Sequence, residues 1–281
     1  MTDPAPAPGA PGGPAGPEGP VGTVAKPGRS GRRTLGLGCL LLVGVAVLVL
    51  IGWFAWYVQP QALLPEATAA LASTPEVAFE QGADGRLTYT PTGVVPTTGL
   101  ILYPGGKVPP AAYAPAAQAI AAEGYLVAIV PVPFNLAVFG IDAATAVIDD
   151  HPEISAWAVG GHSLGGSMAA QYIAGHPGAI DGLVLWASYS AADLADAGIL
   201  VSSSYGTLDH GVSSFTSPGN VEKLGPALVF TVIDGGNHEQ MGWYTGQPDD
   251  PPATIPREDQ QDRIVDATVE LLQALEVPSP E

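Results

Sequence analysis

The chain has 281 residues and a formal net charge of −18, and hydrophobic residues make up 47% of it. That length holds one large domain or two small ones with a sizeable core, and so negative a chain repels phosphate backbones, which argues against nucleic-acid binding. The charge is unevenly spread: 25 of the 27 acidic residues lie after position 33, together with only 5 of the 9 basic ones.

Residues 1–28 are mostly Pro, Gly and Ala, a composition that buries too little apolar surface to offset the entropy of ordering. Residues 1–34 are therefore expected to form a disordered tail. Residues 35–58 carry no charge, and as a helix they would extend roughly 36 Å against a hydrocarbon core of about 30 Å. A cleaved signal peptide is the competing reading, since an Ala-rich stretch follows at 67–72. Signal peptides, however, have apolar regions of only about 7–15 residues, which favours an uncleaved anchor.

Lys26, Arg29, Arg32 and Arg33 precede the span and by the positive-inside rule hold the N-terminus in the cytoplasm. Trp53, Trp56 and Tyr57 would form an aromatic belt at the outer face, with everything after them outside the cell membrane. The single cysteine, Cys39, lies within the span. It has no intrachain disulfide partner and reads as a small apolar residue in lipid, with acylation as the alternative.

Residues 59–75, Ala-rich with Pro60 and Pro65, are expected to be a stalk. From residue 76 onward, short runs of Val, Ile, Leu and Tyr alternate with Ala-rich amphipathic stretches, as βαβ units around a mostly parallel sheet would. The pattern predicts strands at 77–80, 86–90, 100–103, 125–130, 156–159, 183–187, 200–204 and 227–233. It predicts helices at 111–123, 142–150, 164–174, 218–224 and 258–275. Only 81–85 separate the first two strands, which makes them a hairpin and an antiparallel edge.

The strand at 156–159 leads into Gly160-Gly161-His162-Ser163-Leu164-Gly165-Gly166 and then into a helical pattern. A G-x-S-x-G sequence in this context sets the serine on a tight strand-to-helix turn, where the residues two positions to either side must be small. Gly161 and Gly165 meet that requirement. The same sequence also occurs as an ordinary Gly-rich turn, so the partners of Ser163 decide between the readings. A serine hydroxyl needs a general base, itself oriented by a carboxylate, in the chain order Ser, Asp or Glu, His.

His151 precedes the serine, His162 lies inside the turn, His176 ends the next helix and His210 comes before the last strand. His238 follows the last strand, after Gly235 and Gly236, which would let its loop bend back over the sheet edge. Asp209, after the penultimate strand, fits the order for the acid, with Asp193 the main alternative and Asp196, Asp234 and Glu239 further rivals. An oxyanion site needs the amide of the residue after the nucleophile, Leu164, and one from the loop after 100–103, for which Gly106 is the candidate.

These motifs resemble a known family. Leu102-Tyr103-Pro104-Gly105-Gly106, Pro131-Val132-Pro133-Phe134-Asn135-Leu136-Ala137, Gly161-His162-Ser163-Leu164-Gly165-Gly166, Gly206-Thr207-Leu208-Asp209 and Gly236-Asn237-His238 with Gly242-Trp243-Tyr244 are similar, in order, to the bacterial α/β hydrolase fold-5 group, relatives of the dienelactone hydrolases. The resemblance covers about 77–275. It implies an α/β-hydrolase fold with a mostly parallel eight-stranded sheet in a domain at 76–275, followed by a C-terminal tail at 276–281. It also implies a Ser163, Asp209, His238 triad cleaving an ester-like bond without metal or organic cofactor. Dienelactone hydrolases use a cysteine nucleophile, so their specificity does not carry over.

About a dozen residues separate the strands at 183–187 and 200–204, too few for a large lid. Phe134, Leu136, Val138, Phe139, Met241 and Trp243 are candidates to line an apolar acyl site, with core or loop packing the competing reading for each. The expectation is a membrane-anchored carboxylesterase acting on a small-molecule substrate. Thioesterase, peptidase and acyltransferase chemistry use the same groups, and a catalytically silent binding or envelope protein is the alternative from another class.

Overall fold

A computed structural model describes residues 30–276 and the isolated positions 1, 2, 16, 19 and 22. Lys26, Arg29, most of the expected N-terminal tail and residues 277–281 lie outside the described residues, as do the side chains of Arg32, Arg33 and Cys39. Two compact units are present, Met1–Trp53 and Phe54–Glu281. Helix α1 (Ser30–Tyr57) begins in the first and ends in the second.

The helix starts ahead of residue 35, because no proline lies between Pro27 and Pro60 to stop it. Its Leu40–Tyr57 stretch has a mean hydropathy of 2.4 and is 0% buried in protein. It is long and apolar enough to cross a membrane.

In chain order the second unit continues with β1 (Ala62–Leu63), α2 (Pro65–Ala69), β2 (Val77–Gln81), β3 (Leu87–Pro91), β4 (Thr98–Tyr103), α3 (Ala114–Ala122), β5 (Leu126–Ile129), α4 (Ala143–Asp150), β6 (Ala156–His162) and α5 (Leu164–Gly175). Then come β7 (Gly182–Trp186), β8 (Leu200–Gly206), α6 (Val212–Phe215), α7 (Pro218–Glu222), β9 (Leu228–Ile233), β10 (Tyr244–Thr245) and α8 (Arg257–Glu276). Eight strands form one sheet in the order β2-β3-β5-β4-β6-β7-β8-β9. β2 pairs antiparallel with β3, and β3 with β5, while every later pairing is parallel.

Each of the eight predicted strands is present, and the first two form the expected hairpin edge. A sheet covered on both faces buries both sets of alternating side chains. β4 shows this in six consecutive buried residues. Leu100 and Leu102 join a core with Tyr113, Ala117, Ile120 and Ile264 from α3, α8 and the turn before α3. Ile101 and Tyr103 join the opposite core with Ala144, Val147, Ala170 and Ile173 from α4 and α5.

The stretch 59–75 is packed onto the domain and does not stand off it as a stalk. β1 pairs antiparallel with β10, Leu64 N–H donates to Trp243 O at 3.0 Å, and Ala67 is fully buried. The Tyr89 hydroxyl donates to Ala70 O at 3.1 Å, and the Gln118 amide to Ala72 O at 2.8 Å. Small alanine side chains suit close packing as well as a linker, so composition alone does not separate the two.

Candidate active site

Parallel strands present their C-terminal ends on one side of the sheet, and the predicted site residues sit there. β6 ends at His162, and Ser163 occupies the turn into α5 with φ 52° and ψ −120°, a backbone conformation that side-chain-bearing residues rarely adopt. Pairing holds it: Ser163 N–H donates to Trp186 O at 3.0 Å, and the Ser188 hydroxyl donates to Ser163 O at 2.6 Å. The flanking glycines are sterically required. A Cβ on Gly161 would lie 2.3 Å from Tyr103 O, and one on Gly165 would lie 2.2 Å from the same atom.

Asp209 follows β8 and is buried, and His238 follows β9. Asp209 Oδ2 lies 2.7 Å from His238 Nδ1, while Oδ1 accepts Gly211 N–H at 2.6 Å. The network assigns the Nδ1 proton to the bond with Asp209, which leaves Nε2 as an acceptor. Ser163, Asp209 and His238 all border one cavity of about 490 Å³.

The rival carboxylates are engaged elsewhere. Asp193 and Asp196 line a different cavity, Asp234 accepts the Thr207 hydroxyl at 3.2 Å, and Glu239 pairs with Arg257 at 3.3 Å.

The histidine loop is braced, where its glycines had suggested freedom. Gln260 bonds the Asn237 backbone twice, accepting its N–H at 3.0 Å and donating to its carbonyl at 2.8 Å. Gly235 has φ +76°, and a Cβ on Gly236 would lie 2.5 Å from Gln260 Oε1. Asp250, which no motif singles out, accepts the His238 and Glu239 amides at 3.2 and 2.7 Å and borders the cavity. Burial raises its carboxyl pKa.

The amides of Leu164 and Gly106 donate to no protein acceptor among the described residues. The neighbouring Gly105 amide is taken by the Tyr113 hydroxyl at 2.9 Å, which in turn lies 2.9 Å from His162 Nδ1. The close approach in this loop is at Gly105, where a Cβ would meet His162 Nδ1 at 2.7 Å; at Gly106 the nearest atom is Leu164 Cδ2 at 3.5 Å.

His162 is 1% exposed, and its Nε2 has no hydrogen-bond partner among the described residues. Burial holds its pKa well below the usual histidine value, and the nearby His238 lowers it further. It therefore stays neutral in the fold and becomes protonated in the unfolded chain below about pH 6.5. The unfolded state then binds more protons, so this group lowers stability as pH falls through that value, by up to about 1.4 kcal/mol per unit. Asp250, with a raised pKa, acts in the opposite sense in the carboxylate range. His162→Gln is expected to flatten the fall in thermal midpoint between about pH 7.5 and 5.5, and an unchanged slope would mean that His162 does not control it.

Phe134, Leu136, Val138, Phe139, Met241 and Trp243, expected from sequence as candidates for an apolar acyl site, do not border the cavity that Ser163 borders. Phe134 and Phe139 are each 55% exposed, Met241 is fully buried in the core, and Trp243 borders a separate cavity beside α3 and α8. The Ser163 cavity is lined instead by Leu164, Met168, Ala187, Tyr189, Phe215 and several serines. Among the described residues, no three His, Cys, Asp or Glu side chains converge as a metal site would require.

Serine on a strand-to-helix turn, then aspartate and histidine after two later strands, is the chain order of the α/β-hydrolase class. The model of the alpha/beta hydrolase family matches residues 99–262, and the chain belongs to that family. No match was found among curated proteins.

Among solved structures, a propionate-bound thermophilic esterase from Thermogutta terrifontis is 14% identical with a TM-score of 0.50, covering 74% of this chain and 97% of its own. Dienelactone hydrolase from Anabaena variabilis is 14% identical with a TM-score of 0.52, covering 71% and 99%. At these identities the likeness speaks for the fold.

Proposed function

We propose that the chain is a membrane-anchored serine hydrolase that cleaves carboxylic esters of small or medium acyl size through an acyl-enzyme. The observation that carries this reading is the strained Ser163 on the same cavity as a His238–Asp209 pair 2.7 Å apart. His238 Nε2 takes the Ser163 proton as Oγ attacks the carbonyl carbon, and the oxyanion is received by the Leu164 and Gly106 amides. The imidazolium, stabilised by Asp209, returns that proton to the leaving alkoxide. Water deprotonated by His238 then releases the acid and regenerates Ser163.

A cavity of about 490 Å³ with Met168, Tyr189 and Phe215 on its walls suits an apolar acyl group of modest length. The Leu40–Tyr57 stretch supports anchoring, and the basic residues before it support a cytoplasmic N-terminus with the catalytic domain outside.

A fluorophosphonate probe tests the chemistry. The folded chain is expected to carry one adduct, on Ser163, and intact protein without an adduct there would remove the serine-hydrolase reading.

A further inference from the structure

We propose that the exposed apolar loop at 133–139 is a membrane-docking surface that rests in the leaflet at the foot of the N-terminal helix; this rests on the anchoring reading above. Phe134, Val138 and Phe139 are 55%, 43% and 55% exposed, and residues 131–140 carry no charge in a domain that is otherwise strongly acidic. Phe134 and Asn135 have φ of 57° and 52°, so two successive side-chain-bearing residues hold a left-handed backbone at the point where Phe134 turns outward. A soluble surface gains nothing from that arrangement, whereas a lipid surface accepts the rings.

The last turn of α1, from Phe54 on, belongs to the same compact unit as this loop. The Phe54 ring packs edge-on against Phe134 at 5.3 Å, and Phe134 against Phe139 at 5.9 Å, so the apolar surface of the helix end continues into the loop. Lys107 Nζ lies 5.0 Å above the Tyr57 ring, a cation–π contact that ties this corner to the helix end.

Little slack separates helix from domain. Val58, Gln59, Pro60 and Gln61 are the whole connection from α1 to β1, a reach of roughly 15 Å at most. Gln61 N–H is already bonded to Lys107 O at 2.9 Å. Lys107 N–H in turn donates to Asn135 O at 2.7 Å, which ties the loop to the same corner. The occupant that this placement favours is the bilayer itself, since the chain leaves the membrane-length helix at Tyr57 and is tied through Gln61 and Lys107 to the corner that holds the loop. Elsewhere the surface is strongly acidic and carries charges that would lose hydration against lipid, which favours this uncharged face.

The test uses the full chain in phosphatidylcholine vesicles, on a Cys39→Ala background, with an environment-sensitive fluorophore on one introduced cysteine at a time. Phe139→Cys reports the loop and Leu48→Cys the helix. Val95→Cys, at a position 81% exposed before β4 and so at the opposite end of the sheet, is the control. If the loop enters the interface by about 5–10 Å, doxyl-labelled phosphatidylcholine is expected to quench positions 48 and 139 by at least about twofold and to leave 95 unchanged.

Quenching at 48 without quenching at 139 would overturn the docking surface and leave the anchor standing. No quenching at 48 would overturn both. A blue-shifted emission at 139 that ignores doxyl lipid and fades on diluting protein among vesicles would assign the patch to a second copy of the chain and overturn the proposal.

Discussion

Ser163→Ala is expected to lower turnover of short p-nitrophenyl esters by about 10⁶ while leaving the folded domain intact, the scale set by removing the nucleophile of a serine protease. The loss is in chemistry because the substitution removes one oxygen from a site whose geometry is held by the main chain. Ser163 N–H remains bonded to Trp186 O at 3.0 Å, and Ser167 N–H to Ser163 O at 3.3 Å, with either side chain. Alanine fits the same φ of 52° with no larger a Cβ than serine has.

The cavity walls and the Leu164 and Gly106 amides persist, so binding of a product acid should change little. Equal thermal midpoints with turnover about 10⁶-fold below the parent is the expected pair of results. Turnover above about one part in a hundred would show that another group performs the attack, given the steep cost of losing a nucleophile.

The sheet was legible because its strands are runs of apolar and β-branched residues set between Ala-rich helices, a signal local to each element. What local pattern does not carry is pairing at long range. β1 and β10 are two residues each and lie some 180 positions apart, Ala62 opposite Thr245, so neither announces itself. The strand predicted at 156–159 runs on to His162, through glycines whose strand propensity is low. They are there for contact: a Cβ on Gly160 would lie 2.3 Å from Val184 O in the neighbouring strand.

Ser163, Asp209 and His238 could be singled out as candidates because fold order restricts where such residues fall, and they border one cavity. The cavity lining was not, since aromatic residues near a motif carry no sign of which way they face. Met241 and Trp243 turn inward, and the Trp243 amide bonds Ala112 O at 2.7 Å. Ala187, Ser188 and Tyr189 line the cavity simply because they follow the end of β7, and position after a parallel strand was the available signal. Tyr113 and Asp250 act through backbone amides, which leave no trace in residue spacing.

Asp209→Asn carries the second large effect, a fall in turnover of about 10⁴, or about 5 kcal/mol in the barrier. The substitution keeps size and shape, so the Gly211 amide can still be accepted by the carboxamide oxygen, which replaces the contact at 2.6 Å. What it changes is the group opposite His238 Nδ1, 2.7 Å away. An amide N–H there requires Nδ1 to accept, which moves the imidazole proton to Nε2, the atom that takes the Ser163 proton in the proposed mechanism.

Asp250→Asn provides the contrast. Its carboxylate accepts main-chain amides of His238 and Glu239 and does not touch the ring nitrogens, so its loss should loosen the loop and cost far less turnover. Turnover measured for both variants, with thermal midpoints for both, separates orientation of the proton acceptor from bracing of its loop. If Asp209→Asn keeps turnover within about tenfold of the parent, it does not set the tautomer of His238. Of the rivals weighed from sequence, Asp193 borders another cavity and Asp234 is bonded to Thr207.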